Sequence, residues 1–131
     1  MISPVARWHE VMQHKSPERL AELLADDCVF ISPVVHTPQR GKAISLAYLT
    51  AAMHVLNQEF EYVREVVDGD DAILEFTLML DDIKVNGVDM IHFNKDGLID
   101  EFKVMVRPLQ AVNAVHRKMG EMLEQMKREA G

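Results

Sequence analysis

Asp89 is the residue whose type and neighbours point most directly to chemistry. It lies in the run Val88-Asp89-Met90-Ile91-His92-Phe93, where it alternates with Ile91 and Phe93. A strand sends every second side chain to one face, so these apolar partners carry the carboxylate toward an interior. There it must be paired, hydrogen-bonded or held neutral. A carboxyl desolvated to a raised pKa is a candidate acid/base. The competing account is a strand Asp that is solvated or bonded to a neighbour and does no chemistry. His36, between prolines, is either a rim acid/base or an exposed loop histidine. His92 is out of phase with Asp89 and is expected on the opposite face, toward solvent or a subunit contact. The doublets Asp26-Asp27, Asp70-Asp71 and Asp81-Asp82 lack a calcium-loop pattern and read as solvated element ends.

The elements that must hold Asp89 follow from periodicity. Leu98 to Val106 alternates, with Phe102, Val104 and Val106 on one face and Glu101, Lys103 and Met105 on the other. Asn94-Lys95-Asp96-Gly97 is a hairpin turn in which Gly97 can take a positive φ, so the flanking strands are expected to be antiparallel neighbours. Upstream, Glu59 to Val67 and Ala72 to Leu80 read as strands joined at Asp68-Gly69-Asp70, with Leu74, Phe76, Leu78 and Leu80 inward.

Three helices are expected before these strands. Pro4 to about His14 repeats Val5, Trp8 and Met12 on one stripe. Ser16-Pro17-Glu18 supplies a cap, a first-turn proline and an acid for a short helix that buries Leu20, Leu23 and Leu24 and ends at Asp26-Asp27. Cys28 to Ser32 reads as a strand with Phe30 and Ser32 sharing a face, and Pro33 to Gly41 as a loop. Lys42 to about His54 is a helix with little polar surface. Pro108 opens a last helix reaching about Lys127, whose Val112, Val115, Met119, Met122 and Met126 stripe packs either on its own domain or on a partner chain. Helices segregated from antiparallel strands signal an α+β domain, and the 131 residues with 48% hydrophobic content fit one such unit.

Composition narrows the partners. A net charge of -7, from 21 acidic and 14 basic residues, argues against nucleic acid or an anionic membrane. No window is long and apolar enough to span a bilayer, and the N-terminus lacks a signal-peptide pattern, so a cytoplasmic protein is expected. The single cysteine, Cys28, reads as a buried hydrophobe, and without C-x-x-C or paired-His spacing no metal or cofactor is expected.

Ala25-Asp26-Asp27-Cys28-Val29-Phe30-Ile31-Ser32-Pro33, Gly41 opening the third helix, Gly87 to Phe93, and Asp96-Gly97-Leu98-Ile99 fall in one recognisable order. In it the chain, up to about Ala111, resembles the nuclear transport factor 2-like superfamily, nearest its SnoaL-like polyketide cyclases and ketosteroid isomerases. The resemblance implies a cone: a curved, mostly antiparallel sheet with three N-terminal helices on its concave face, a C-terminal helix and an apolar pocket. Ketosteroid isomerases move a proton with an Asp base while a Tyr and a protonated Asp stabilise the oxyanion. Asp89 falls where those enzymes have the protonated Asp, Ser32 where they have the base and Trp8 where they have the Tyr. A serine is no base near neutral pH and an indole is no phenol, so the standard isomerase route lacks its parts. The Arg and paired Asp of limonene epoxide hydrolases are missing as well.

The resulting expectation is a pocket for a small apolar carbonyl compound, with Asp89 as acid/base and Trp8, Met12, Phe30, Ser32, Tyr48, Phe76, Ile91, Phe102 and Val104 as ligand contacts. Trp8 and Tyr48 can equally be core packing. A non-catalytic binding protein and a protein-association module are the other readings, and a homodimer through the outer sheet face is expected from the resemblance.

Overall fold

The structure is a computed structural model and describes residues 3–130. Its elements run α1 (Pro4–His14), α2 (Pro17–Leu23), β1 (Leu24–Ile31), β2 (Gln39–Arg40), α3 (Lys42–Val55), β3 (Glu61–Asp68), β4 (Asp71–Leu80), β5 (Ile83–Phe93), β6 (Ile99–Arg107) and α4 (Leu109–Ala130). The helix starts are set locally. Ser3 Oγ accepts from the Ala6 amide at 3.3 Å and Ser16 Oγ from the Arg19 amide at 3.2 Å, each relieving an orphan N–H of a first turn that begins with proline.

The strands form one six-stranded sheet in the order β2-β1-β6-β5-β4-β3. Only the β1–β6 pair is parallel. Alternation decides which face is core: along β4, Ala72, Leu74, Phe76, Leu78 and Leu80 are buried, and along β5, Val85, Gly87, Asp89, Ile91 and Phe93. Each large side chain turned from water contributes about 1.5–3 kcal/mol, and one register slip would forfeit the whole row. The β5–β6 turn closes as the sequence predicts: Asn94 Oδ1 accepts from the amides of Asp96 (2.9 Å) and Leu98 (3.0 Å), and Gly97 takes φ 78°.

Curvature has a visible device. Gly87 pairs with Phe76 across β4 and β5. A Cβ there would overlap the Phe76 ring and come within 2.9 Å of the Met105 carbonyl oxygen, so glycine lets the ring fold over the strand. A bulge between Tyr62 and Arg64 bends β3, turning Tyr62 inward while Arg64 pairs with Glu75.

Several boundaries differ from the sequence expectation. Leu24 opens β1 instead of closing α2, and Asp26 and Asp27 lie exposed within β1, where its register with β6 shifts, instead of ending a helix. Propensity places acids at helix ends, but here the neighbouring strand β6 captures the backbone. The stretch Pro33 to Gly41 is not all loop: beyond Pro38, Gln39 and Arg40 pair with Phe30 and Val29 as β2. The third-helix-to-strand link lasts to Phe60, with Glu59 at φ 52°. Helix α4 runs to Ala130 and packs its Val115 and Met119 stripe against α3, β5, β6 and β4 of its own chain. No described helix is long and apolar enough to cross a membrane.

Candidate functional site

Asp89 sits mid-sheet, flanked by Leu74 on β4 and Val104 on β6, and is only 6% exposed. One hydrogen bond reaches it: Tyr62 Oη donates to Oδ2 at 2.6 Å. Tyr62 in turn accepts from Trp8 Nε1 at 3.0 Å. Indole N–H is donor only, so the Tyr62 hydroxyl accepts from Trp8 and its own proton points to Asp89 when Asp89 is ionised. Burial pushes the Asp89 carboxyl up to about 7, against the lowering effect of the Tyr62 bond. Burial, followed by the nearby Asp89 charge and its hydrogen bond, likewise raises the Tyr62 phenol well above its ordinary value.

Among the described residues no hydrogen bond reaches the second carboxyl oxygen. Among the described residues no side-chain oxygen or nitrogen is sealed from solvent without a hydrogen bond, so Oδ1 meets open space. That space is an apolar cavity of about 50 Å³, on which Asp89 opens beside Trp8, Met12, Phe30, Phe76, Phe102 and Val104. Leu49, Ala52, Met53, Leu56 and Phe60 complete its wall. Of these residues only Asp89 and Trp8 carry a polar group, and the Trp8 N–H is committed to Tyr62. Drug-sized ligand pockets run to roughly 300–1,000 Å³, so the cone interior is nearly filled. The filling is aromatic: Trp8 lies 4.9 Å from Phe102, Phe60 stacks on Phe76 at 5.3 Å, and Phe30 lies 6.3 Å from Phe102.

Three expected ligand contacts lie elsewhere. Ser32 Oγ accepts from the amides of Val34 (3.1 Å) and Val35 (3.3 Å), so it holds the turn at Pro33 and does not face the cavity. Tyr48 packs behind the wall, 5.4 Å from Phe30. Ile91 is 1% exposed and is filled in by its neighbours. His36 is exposed in its loop, and His92 stands on the convex face bonded to Asp100 at 2.6 Å.

Tyr62 was missed by the sequence reading, although it is the direct partner of Asp89. The signal existed: Phe60 and Tyr62 alternate toward the same face as Phe76. The bulge breaks that alternation at Val63, and a uniform strand hides it. The α3 residues Leu49, Ala52 and Met53 were masked by a helix apolar on most sides.

A curved sheet wrapped by helices around an apolar hollow with one buried carboxyl defines a class of cone-shaped α+β domains. The SnoaL-like domain family model matches residues 5–102, and the chain belongs to that family. It is similar to a steroid delta-isomerase from Pseudomonas aeruginosa, at 33% identity, TM-score 0.91, over 95% of this chain and 92% of that one. It is also similar to an uncharacterized protein with a cystatin-like fold from Silicibacter pomeroyi, at 32% identity, TM-score 0.84, over 90% and 83%. A third similar structure, an NTF2-like protein of unknown function from Mesorhizobium loti, has 26% identity and TM-score 0.70 over 80% and 88%. No curated protein matches the chain.

Proposed function

We propose that the chain binds a small, mostly apolar carbonyl compound in the cone and that Asp89 moves a proton on it, as an isomerase or cyclase does. The observation that carries this reading is the Asp89 carboxyl: buried, held at Oδ2 by Tyr62, opening onto the cavity, and pushed up to about 7 by burial. A base poised at the working pH balances correct protonation against driving force. With Oδ2 held by Tyr62, the exchangeable proton of this reading is carried by Oδ1. Ionised Oδ1 removes a proton from the carbon next to the substrate carbonyl. The electron pair passes to the carbonyl oxygen, and the enolate takes the proton back from Oδ1 at a second carbon, or adds to an internal carbonyl whose new alkoxide takes that proton.

The cavity wall offers no free donor for the enolate oxygen, so its charge has to be spread by the substrate itself. A β-dicarbonyl or a β,γ-unsaturated ketone meets that requirement. The similarity to the Pseudomonas aeruginosa steroid delta-isomerase supports the isomerase side of this reading. The test is conversion of a β,γ-unsaturated ketone to its conjugated isomer, followed by ultraviolet absorbance, in wild type and Asp89→Asn. Turnover abolished with binding retained supports proton transfer, and equal rates in both proteins sink it.

The nearly filled cavity favours a second reading, a binding protein without turnover. We also propose that two copies meet through the convex face of the sheet. There Val66 (54% exposed) and Met105 (50%) line a shallow groove with Ile73 and Val88. Sedimentation of wild type and Val66→Lys/Met105→Lys decides it: a dimer turned monomer supports the interface, and a wild-type monomer removes it.

A further inference from the structure

Two spaces meet at one wall of the cone. The inner one, of about 50 Å³, holds Asp89 Oδ1. The outer one is an open groove of about 340 Å³ lined by His9, Gln13, Lys15, Asn57 and Tyr62. Met12, Met53, Leu56 and Phe60 line both. Tyr62 thus turns its side chain to the groove while its hydroxyl reaches Asp89.

We infer that these four residues form the entrance to the Asp89 chamber, and that the ligand straddles them. Its carbonyl head reaches the inner chamber, while an uncharged, hydrogen-bonding tail lies among Gln13, Asn57 and His9. This rests on the proposed carbonyl-binding role of Asp89 and adds the substrate class. The inner chamber has room for only a few water-sized groups, so most of any larger ligand must lie outside it. The groove that shares its wall is where the remainder can go. The chemistry changes across that wall, from a hollow where only Asp89 offers a free polar atom to a rim with two amides, an imidazole and an ammonium.

The rim carries charge of both signs. His9 is engaged with Glu65 at 2.6 Å, which adds an acid beside the groove. Lys15 is exposed on the same rim. Neither sign dominates, so an uncharged tail fits the groove best. The entrance itself can yield. Met12 and Met53 are unbranched and adapt to what passes. Leu56 ends α3 and Phe60 ends the link to β3, a link tied to β4 by the Met79 amide on the Gln58 carbonyl at 2.9 Å.

The experiment uses Trp8, the single tryptophan, as the reporter, because it lies on the inner wall. Phenol and 4-(6-hydroxyhexyl)phenol are titrated into wild type, Gln13→Phe and Asn57→Phe while Trp8 fluorescence is followed. Both replacements are at exposed positions and fill the groove without entering the core. In wild type the extended phenol should bind at least tenfold tighter than phenol. Filling the groove should remove that gain and leave the phenol Kd within twofold. Equal affinities in wild type, or losses that are the same for both phenols, overturn the two-chamber assignment, as does failure of either phenol to change Trp8 emission. Asp89-independent rates on a β,γ-unsaturated ketone alongside the expected binding pattern would instead remove the enzyme reading and leave the straddled entrance standing.

Discussion

Asp89 and His92 are three residues apart on β5 and belong to different worlds. On the concave side, the Asp89 carboxyl is 6% exposed, has a single donor in Tyr62 and is pushed up to about 7 by burial. On the convex side, the His92 ring bonds Asp100 at 2.6 Å with side-chain exposures of 42% and 28%, and that bond raises its pKa. Both groups hold a proton more tightly folded than unfolded, for opposite reasons. Asp89 lacks solvent for its charge, whereas His92 has gained a partner for its charge. One strand therefore carries a group paid in desolvation and a group stabilised by pairing, and only the first opens onto a cavity.

The sharpest break of this contrast is Asp89→Asn. Removing a general acid/base costs typically 10²–10⁴-fold, so turnover of a β,γ-unsaturated ketone should fall at least about 100-fold while Trp8-detected phenol binding persists. The same variant tests the energetics. The folded pKa of about 7 exceeds the unfolded value of 3.8. Between those values the folded state keeps a proton that the unfolded state has lost. Stability contributed by Asp89 is full below pH 4 and declines as pH rises to 7, by on the order of 4 kcal/mol. Urea midpoints measured from pH 4 to 8 should show that decline in wild type and a flatter profile in Asp89→Asn. Identical slopes would mean the carboxyl is hydrated in the folded state.

Tyr62→Phe sharpens the concave half. It removes the one donor to Asp89 and orphans the Trp8 N–H, for a loss of about 1–3 kcal/mol. The Tyr62 bond lowers the Asp89 pKa, so its removal should move the rising limb of the pH–rate profile further alkaline. A limb that stays in place would show that Tyr62 does not tune the carboxyl. Gly87→Ala probes the same hollow from the sheet side. Displacing the Phe76 ring should cost about 1–3 kcal/mol, read from denaturant midpoints. An unchanged midpoint would mean the ring moves aside freely.

How far these features could be read beforehand depends on whether they are local. The α+β segregation, the inward row of β4 and the inward turn of Asp89 follow from alternation, which a chain displays residue by residue, whereas the cone came from the resemblance. The site partner does not. Tyr62 is 27 residues from Asp89 and is aimed by a bulge that arises from pairing with β4, so neither the contact nor the aim is written near Asp89. Ser32 shows the converse: its place relative to Pro33 fits a familiar order, but its hydroxyl accepts from the amides of Val34 and Val35 just after it. The strand Gln39–Arg40 was hidden because two prolines dominate its surroundings, whereas its pairing depends on β1. Cavity volume is the least legible quantity, since it is a small difference between packed side chains from six elements.

The mildest test falls on the convex side. His92→Gln removes a charged partner of Asp100 but leaves a side chain able to hydrogen-bond. Because the His92 pKa is raised, its stabilising effect is full below the unfolded value of 6.5 and is lost as pH climbs through the folded value. Solvent screens the pair, so the difference between wild type and His92→Gln should be at most about 1 kcal/mol at pH 6 and vanish by pH 9. Raising salt should shrink it further, which the buried Asp89 slope should resist. If instead the His92 effect matched that of Asp89 and ignored salt, the convex face would have to be covered, as a second copy seated on the sheet would cover it.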